Sequence, residues 1–332
     1  MKLITGNEKE FSNFVDGLDK EDRVAIISHN DLDGIASALL MNDILKEKEI
    51  EPKLIDFIDY KKGMFEPVHE KLKKEKINKS FLLDINESSD IEGFNKLKKE
   101  IGIFLIDHHP SDTKGKNIIK TKTEDCVTFV LYQLGKEKFD FGKWKELVCA
   151  TMVSEFSYNS EENFNFIKQI YPQVNLEDMY NSAPGKTAKL ISSALIYFSS
   201  RKKKVFDMIN NDDLSELERY SSIVEMEFES LKEKYKKEAE YFPSRKLYFY
   251  HYTPKFSISS AVITALSVKE KDKTFIIVSD LRKRKGFVQV SSRNQSGNED
   301  LNLLMRKATV GFESATVGGH VKAAGGNFMK KD

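Results

Sequence analysis

One stretch of this sequence combines a buried-strand pattern with side chains that can bind metal ions and transfer protons. Residues 103–106 form a short apolar run, which is typical of a buried strand, and Asp107, His108 and His109 follow it directly. Ligands of open α/β sheets bind beyond the carboxyl ends of the strands. We therefore expect these three side chains to lie at a site of chemistry.

The same arrangement occurs twice more. An apolar run at 24–28 precedes the sequence HNDLDG at 29–34, and another at 81–83 precedes Asp84. If the three strands are parallel and adjacent, four carboxylates and two imidazoles converge on one edge of the sheet. Such a cluster is costly to desolvate, and a pair of divalent cations removes that cost. Mixed oxygen and nitrogen donors favour Mn²⁺ or a similar ion over a thiolate-held zinc. The converging side chains are His29, Asp31, Asp33, Asp84, Asp107 and His108.

Two of the three segments also have a purely structural interpretation. Aspartate is a preferred N-cap residue, so Asp31 and Asp33 also fit the start of a helix. Asp84 also fits an ordinary capping role at the next turn. An EF-hand loop is excluded, because Asn42 stands where such a loop needs glutamate at its twelfth position. The three segments together, rather than any one of them, favour the metal site.

The segments around these residues alternate between strand and helix patterns. Alternation of this kind predicts a doubly wound parallel sheet. The predicted strands are 24–29, 53–58, 80–85 and 102–107, and the predicted helices between them are 34–48, 65–76 and 90–100.

Beyond this sheet the pattern predicts two further parts. The segment 214–240 carries apolar side chains at helical spacing among many Glu and Lys, which predicts a long connector helix. After Pro243 strand and helix patterns return over about 90 residues, a usual domain size. We therefore predict a metal-binding α/β domain at 1–195, a helical connector at 196–242 and a smaller α/β domain at 243–332.

The composition limits the classes of protein and partner. The chain has 332 residues, of which 40% are hydrophobic and 32% charged, and its formal net charge is +1. A nucleic-acid-binding surface must therefore be local, and no apolar run has the length of a membrane span, so no membrane partner is expected. Cys126 and Cys149 lie far apart in apolar helical contexts, which predicts reduced core thiols and a cytoplasmic location. The oligomeric state is left open, and a homodimer is compatible with the sequence.

The C-terminal segment contains residues suited to phosphate binding. Gly318 and Gly319 allow close approach of a backbone whose N–H groups can bind an anion, and His320 can hydrogen-bond the same group. Arg293 can bind a non-scissile phosphate bidentately. The basic segment 282–285 is predicted to form a hairpin turn that contacts either a nucleic-acid backbone or solvent.

Together these motifs resemble those of the DHH phosphoesterase family. The sequence HNDLDG at 29–34, Asp84 and the triad 107–109 match its first three motifs in order and spacing. The segment 318–326 resembles the Gly-Gly-His motif of the DHH-associated C-terminal domain. The family includes RecJ-type exonucleases, nanoRNases, cyclic-dinucleotide phosphodiesterases and type II pyrophosphatases. The resemblance implies two bound Mn²⁺ ions, with Mg²⁺ as the alternative.

The resemblance also implies a metal-binding role for each matching residue. His29 and Asp31 would bind one Mn²⁺, and Asp33 and His108 would bind the other. Asp84 would bridge the two ions.

The remaining matches imply catalytic and substrate-binding roles. Asp107 would orient His108, His109 would contact the scissile phosphate, and His320 would stabilise developing charge or protonate the leaving group. The fourth family motif normally supplies an aspartate to the second metal, and the matching segment here offers Glu155 instead. The predicted substrate-binding residues are His109, Arg293, Gly318, Gly319 and His320, of which Arg293 is assigned above from its chemistry alone.

The sequence therefore predicts a hydrolase. We expect a Mn²⁺-dependent phosphoesterase acting on phosphodiester or terminal phosphate bonds of short RNA or DNA oligonucleotides or nucleotides, like a nanoRNase (an oligoribonuclease-type exonuclease). Short substrates are favoured because no extended basic track for a long strand is visible. Alternatives of the same class are a RecJ-like single-strand exonuclease and a cyclic-dinucleotide phosphodiesterase. Glu155 motivates an alternative of another class, a nucleotide-binding scaffold that has lost catalysis.

Overall fold

The computed structural model describes residues 3–281 and 284–332. The chain divides into two compact units, Met1–Ser221 and Ser222–Asp332. This division falls inside the segment 196–242 that the sequence predicts as a connector. Arg282 and Lys283, from the basic segment predicted as a hairpin turn, lie outside the described residues.

The first unit is built on a five-stranded sheet whose strands all run parallel. The strand order is β2-β1-β3-β4-β5. The chain therefore steps outward from β1 in one direction to β2 and in the other to β3, which makes the gap between β1 and β3 the topological switch point. The strands are β1 (Val24–His29), β2 (Leu54–Ile58), β3 (Lys79–Leu83), β4 (Gly102–Asp107) and β5 (Ile118–Lys120).

Two hydrophobic cores cover the two faces of this sheet, because successive side chains of a strand point to opposite faces. On β1, Ile26 packs into one core and Ile27 into the other. Helices α1 (Glu8–Asp16) and α2 (Leu32–Glu47) supply the first core, and α3 (Phe65–Lys74) and α4 (Ile91–Glu100) the second. The prediction of a doubly wound parallel sheet is therefore confirmed.

Helix α2, which carries the first acidic motif, is buried along almost its whole length. All its residues from Leu32 to Leu45 are buried. Such a helix needs contacts on every side, and its neighbours include β1 and the later helix α5 (Val127–Gly135). The start of α2 is therefore fixed by packing as well as by its cap.

Helices make up the rest of the first unit, and the last of them continues into the second. Helices α6 and α8 pack against each other, and α2 also contacts α6. Helix α10 crosses the boundary between the units, as the predicted connector helix at 214–240 suggests. These helices are α6 (Lys145–Ser154), α7 (Glu161–Ile170), α8 (Ala183–Phe198), α9 (Lys203–Asn210) and α10 (Leu214–Glu238).

The described part of the second unit contains a six-stranded mixed sheet, two α-helices of its own and the C-terminal part of α10. The strand order is β10-β11-β9-β8-β7-β6, and only the β7–β8 pair is parallel among the pairs of this sheet that the structure describes. The Gly-rich end of the chain, which the sequence leaves without a predicted strand, forms the hairpin of β10 and β11. The elements are β6 (Glu240–Phe242), β7 (Leu247–His251), α11 (Ser259–Ser267), β8 (Thr274–Asp280), β9 (Phe287–Arg293), α12 (Leu301–Ala308), β10 (Thr316–His320) and β11 (Ala323–Met329).

Two predictions from composition can be compared with this fold. Cys126 and Cys149 are both free and buried, as core thiols would be. Within the described part of the chain, no helix is both long enough and apolar enough to cross a bilayer.

Candidate metal centre

The sheet topology brings the three predicted motifs to one place. Ser28 on β1 pairs with Leu83 on β3, and Leu83 pairs with Ile106 on β4. The next residues along these strands are therefore His29, Asp84 and Asp107, side by side at the carboxyl edge. This edge includes the switch point between β1 and β3, where open α/β sheets bind their ligands.

Asp31 combines the capping role and the position of a metal ligand. It is the N-cap of α2, and its Oδ1 accepts a hydrogen bond of 2.9 Å from the backbone N–H of Gly34. Its second oxygen, Oδ2, lies 2.8 Å from Nδ1 of His29. The two interpretations of this motif are thus compatible, because one oxygen caps the helix and the other faces the imidazole.

Asp84 occupies the centre of the site. It is buried, and its backbone φ is +54°, in the left-handed region that costs a non-glycine residue about 1–3 kcal/mol. Its Oδ2 lies 3.4 Å from Nδ1 of His29, and its Oδ1 lies 3.3 Å from Nε2 of His108. One carboxylate therefore faces an imidazole on each side, as a bridging ligand would.

Two groups of potential metal ligands share Asp84. One consists of His29, Asp31 and Asp84, and the other of Asp84, His108 and His109, with the ligand atoms of each group within 4.8 Å of one another. The second group includes His109, which the family resemblance assigns to substrate rather than to metal.

The structure pairs Asp107 with His109 and not with His108. Asp107 Oδ1 lies 2.8 Å from Nδ1 of His109, and its Oδ2 accepts a 3.1 Å hydrogen bond from the His109 backbone N–H. This differs from the predicted orientation of His108 by Asp107. The physical reason is that β4 ends at Asp107, whose side chain accepts a hydrogen bond from the backbone two residues on, and this Asx turn brings residue 109 to Asp107.

Asp107 is in turn held by a buried ion-pair network that the sequence does not reveal. Lys120 Nζ lies 2.6 Å from Asp107 Oδ2 and 2.6 Å from Glu87 Oε2. Ser111 donates a hydrogen bond to the other oxygen of Glu87. All three charged side chains are almost fully buried. We call Glu87, Lys120 and Asp107 the lysine network.

Tyr60 is a second residue of the site that the motifs do not reveal. Its ring stacks on His29 with centroids 4.0 Å apart, and it meets His109 edge to face at 4.9 Å. Its hydroxyl donates a 2.9 Å hydrogen bond to the backbone oxygen of Asp84. Tyr60 follows β2 by two residues, so the rule that pointed to the ends of the other strands could have found it.

The side chain of Asp33, which belongs to α2, contacts the start of α5 and is in neither ligand group of the described residues. Both its oxygens accept backbone hydrogen bonds, from Val127 at 2.7 Å and from Thr128 at 2.8 Å. The Thr128 hydroxyl donates a further 2.6 Å hydrogen bond to Asp33 Oδ1. The carboxylate therefore satisfies helix N–H groups, and its predicted role as a metal ligand stays a prediction.

Glu155 lies at the C-terminal end of α6, close enough to the acidic motifs to be affected by them. Burial and the carboxylates of Asp31, Asp33 and Asp84 raise the pKa of Glu155 to about 8. It belongs to neither ligand group among the residues that the structure describes. Its predicted role as a ligand in place of the family aspartate also remains a prediction.

The electrostatics of the site favour bound positive charge. Burial alone would lower the pKa values of His29 and His108, but neighbouring carboxylates outweigh it. Asp31 and Asp84 raise the pKa of His29 to about 10, and Asp84 is the main group that raises the pKa of His108 to about 10. The carboxylates therefore hold positive charge strongly, whether a proton or a metal ion supplies it.

Unsatisfied polar atoms also fit metal binding. At this site, His29 Nδ1, His108 Nδ1 and Asp84 Oδ1 are buried and make no hydrogen bond of good geometry with the described residues. His29 Nδ1 and Asp84 Oδ1 nevertheless lie only 2.8 Å and 3.3 Å from Asp31 Oδ2 and His108 Nε2, respectively. Buried polar atoms normally have partners, so such atoms at one site indicate a missing ion or water. Imidazole nitrogens and carboxylate oxygens suit Mn²⁺ and, through the oxygens, Mg²⁺. The residues present therefore fit a divalent-metal centre.

The predicted phosphate-binding residues lie in the second unit. Arg293 is held by Thr264, whose hydroxyl is 3.0 Å from its Nε, and by Ser260, whose hydroxyl is 2.7 Å from its Nη2. It lines a cavity of about 320 Å³ together with Gly318 and residues of β9 and β11. His320 is exposed and does not line this cavity.

Glycine stands at positions 318 and 319 for different structural reasons. Gly319 has φ +145°, and a Cβ there would lie 2.3 Å from the backbone oxygen of Ala323. A Cβ on Gly318 would meet open space, which leaves its backbone accessible on the cavity side. Gly318 therefore fits the predicted close approach of an anion, whereas Gly319 is required by the hairpin itself.

Comparison with known proteins supports the resemblance in the motifs. Residues 23–173 match the family described as DHH family, N-terminal domain. The search of curated proteins found no match to this sequence.

Solved structures similar to this chain share its fold. A crystal structure of exonuclease RecJ bound to manganese is 16% identical, with a TM-score of 0.73 over 100% of this chain and 91% of that chain. RecJ from Thermus thermophilus in complex with Mn²⁺ is 15% identical, with a TM-score of 0.68 over 98% of this chain and 52% of that chain. An exopolyphosphatase-related protein from Bacteroides fragilis is 16% identical, with a TM-score of 0.56 over 96% of this chain and 90% of that chain. At these identities the similarity establishes the fold.

Proposed function

We propose, from the match of residues 23–173 to the DHH family N-terminal domain, that the chain is a divalent-metal-dependent phosphoesterase. Its substrates would be short RNA or DNA oligonucleotides or nucleotides, as for a nanoRNase-type exonuclease. The observation that supports this proposal most directly is the position of Asp84. Its two oxygens face His29 and His108 at 3.4 and 3.3 Å, and both ligand groups contain it.

The ligand groups define which residues would hold the cations. His29, Asp31 and Asp84 would hold one ion, and Asp84 with His108 the other. When bound, two such ions supply an activated water and neutralise phosphoryl oxygens. Asp33 and Glu155 are the carboxylates that would complete the set, as the family pattern implies.

His109 is the residue we assign to the scissile phosphate. Asp107 lies at its Nδ1, so Nε2 is the ring nitrogen left for substrate. An imidazole with protons on both ring nitrogens donates to Asp107 from Nδ1 and can donate to a phosphoryl oxygen from Nε2. The lysine network fixes the orientation of Asp107 and therefore of the His109 ring.

Arg293, Gly318 and His320 would bind further groups of the substrate. The guanidinium of Arg293 is oriented by Ser260 and Thr264 beside the cavity that Gly318 lines. A planar fork of this kind suits a non-scissile phosphate. A net charge of +1 over the whole chain favours short substrates, since long strands need a larger basic track.

The experiment is an assay of the purified protein with Mn²⁺ or Mg²⁺ on substrates of different class. The panel contains RNA and DNA of two to five nucleotides, long single strands, cyclic di-AMP and 3′-phosphoadenosine 5′-phosphate. We expect turnover of the short oligonucleotides and loss of turnover in the His108→Ala variant. Preference for long strands with no turnover of dimers to pentamers would refute the nanoRNase proposal.

A single-strand exonuclease is the second candidate function. The similarity in fold to exonuclease RecJ bound to manganese, which covers the whole of this chain, favours it. Processive degradation of long single strands in the same assay would support this candidate. Absence of turnover on every substrate, together with nucleotide binding, would instead support a scaffold that has lost catalysis.

A further inference from the structure

Three aromatic side chains of the first unit form a cluster that the metal centre does not use. Phe156 and Tyr158 are stacked with centroids 6.3 Å apart, and Tyr180 meets Phe156 edge to face at 5.8 Å. Tyr158 is buried, whereas Phe156 is 55% exposed and Tyr180 is 51% exposed. We call these residues the aromatic cluster. The rings of Phe156 and Tyr180 are therefore exposed to solvent and pack against the buried ring of Tyr158.

Phe156 has an unusual backbone for an exposed aromatic residue. Its φ is +57°, in the left-handed region, where a bulky side chain costs about 1–3 kcal/mol. A turn alone would be better served by Gly or Asn, which tolerate this conformation. Packing against Tyr158 and Tyr180 offsets only part of the cost, because more than half of the side chain is exposed. Strained residues of this kind are concentrated at ligand-binding sites.

The loop that carries Phe156 is firmly anchored. The hydroxyl of Ser157 donates a 2.7 Å hydrogen bond to the backbone oxygen of Glu124. Asn163 donates hydrogen bonds of 3.1 Å to both the backbone oxygen and the hydroxyl of Ser157. Ser157 and Asn163 are both buried. The ring is thus held on a rigid support, as a preformed binding surface requires.

The aromatic cluster adjoins the candidate metal centre. Phe156 directly follows Glu155, so their Cα atoms are about 3.8 Å apart. The loop is also joined to the first acidic motif through the start of α5. Ser157 donates a hydrogen bond to the backbone oxygen of Glu124, and a few residues further along, the backbone N–H groups of Val127 and Thr128 donate to Asp33.

We propose that Phe156 and Tyr180 form a stacking surface for a nucleobase of the substrate, next to the phosphate that the metal centre would receive. This inference rests on the proposed function and adds to it that the substrate is recognised through a base. Every nucleobase has a π face, so such a surface tolerates different sequences. A single rigid surface also suits a substrate of few nucleotides. No residue with this role follows from the motifs that resemble the DHH family.

A direct binding test uses Phe156→Trp fluorescence. Trp144 is the only natural tryptophan and is buried, so a new signal would come from position 156. The ligands are a slowly hydrolysed phosphorothioate-linked adenosine dinucleotide and two analogues that each lack one base, all with Mg²⁺. We expect saturable quenching by the intact dinucleotide and its loss with one of the abasic analogues.

A kinetic test measures kcat/KM for the Phe156→Ala, Phe156→Leu and Phe156→Tyr variants. Because stacking contributes about 1–3 kcal/mol per base, we expect Ala and Leu to lower kcat/KM on the dinucleotide about 5- to 150-fold. Phe156→Tyr, which keeps the ring, should retain activity. On the abasic analogue that lacks the stacked base, the effect of Phe156→Ala should fall below about twofold. Phe242→Ala, at an exposed phenylalanine of β6 in the second unit, is the matched control and should change neither value.

The outcomes separate this inference from the proposed function. Base-dependent quenching without turnover of any substrate would support the stacking surface and refute the phosphoesterase. Turnover with equal effects of Phe156→Ala on intact and abasic substrates would refute the stacking surface and leave the phosphoesterase standing. Equal losses of kcat/KM in the Ala, Leu and Tyr variants on all substrates, together with quenching that is the same for intact and abasic ligands, would refute the stacking surface. Position 156 would then have only a structural role.

Discussion

Replacement of Lys120 by methionine should destabilise the first unit strongly. Lys120 Nζ lies 2.6 Å from Asp107 and 2.6 Å from Glu87, and all three side chains are almost fully buried. Both carboxylates contact the same Nζ at 2.6 Å, so they are at most about 5 Å apart. Without the ammonium group they repel each other by at least about 3 kcal/mol at an effective dielectric constant of about 20. Breaking a buried ion pair on one side costs about 3–5 kcal/mol. We therefore expect the free energy of unfolding to fall by about that amount.

The assay is urea unfolding in the presence of a chelator, followed through Trp144. This tryptophan is the only one in the chain and lies in the first unit, so it reports the unit that contains the lysine network. The matched control is Lys138→Met, which removes an exposed ion pair of 2.8 Å to Asp16. An exposed pair contributes at most about 1 kcal/mol, so the control should change little.

The loss in the Lys120→Met variant should also depend on pH. In the native protein, burial raises the pKa of Asp107, but His109 and Lys120 outweigh it and hold the pKa below its usual range. The stability that Asp107 contributes is therefore present above its unfolded pKa of about 3.9 and lost as pH falls. In the variant the unpaired carboxylates take up protons at higher pH, which relieves the repulsion. The difference between native and variant should thus shrink from pH 8 towards pH 5.

Two results would refute this reasoning. A loss in unfolding free energy no larger than that of the Lys138→Met control would show that the buried network contributes no more than a surface pair. The double variant Lys120→Met with Glu87→Gln should recover part of the lost unfolding free energy. If it does not, repulsion between the carboxylates is not the cause of the loss.

Three further predictions concern the sites themselves. Asp84→Asn should weaken Mn²⁺ binding at both ligand groups by more than about 100-fold, since loss of a residue that only orients a ligand already costs up to about that much. Calorimetric titration in which one site keeps its affinity would contradict the shared role of Asp84. Burial and the acidic motifs raise the pKa of Glu155 to about 8, so the native protein without metal should lose stability as pH rises towards that value and Glu155 ionises. Measured in chelator, the Glu155→Gln variant should lack this loss, because glutamine cannot ionise. The expected difference between pH 5 and pH 9 is about 1–3 kcal/mol by urea unfolding, and parallel pH profiles of the two proteins would exclude it. Arg293→Lys should raise KM about tenfold with little change in kcat, because lysine cannot reproduce a fork oriented by two hydroxyls; an unchanged KM on the oligonucleotide panel would remove Arg293 from substrate binding.

The fold was predictable where the pattern repeats. Alternating apolar runs and amphipathic segments predict the doubly wound sheet, and the carboxyl-edge rule then places His29, Asp84 and Asp107 together, as the structure shows. The hairpin of β10 and β11 was not predicted, because its glycines carry no alternation of apolar and polar side chains. Strand β5 is only three residues long, too short to give a pattern.

The contacts inside the site depend on tertiary structure that motifs do not encode. Lys120 ends the short strand β5, so nothing local marks it as the partner of Glu87 and Asp107. Asp33 resembles a ligand in sequence but meets the start of α5, about 95 residues further along the chain. Such pairings become visible only when the sheet order and helix packing are known.

The burial of α2 has a consequence for genetic screens of this protein. Most positions of the first motif and the helix that follows lie in the core, so substitutions from Leu32 to Leu45 will remove folded protein and activity together. A screen that scores only phenotype cannot tell these two losses apart at Asp33. Asp31 differs, because its side chain is 40% exposed. Asn at this position can still cap the helix, so Asp31→Asn is the substitution of choice for a soluble, inactive protein in cells.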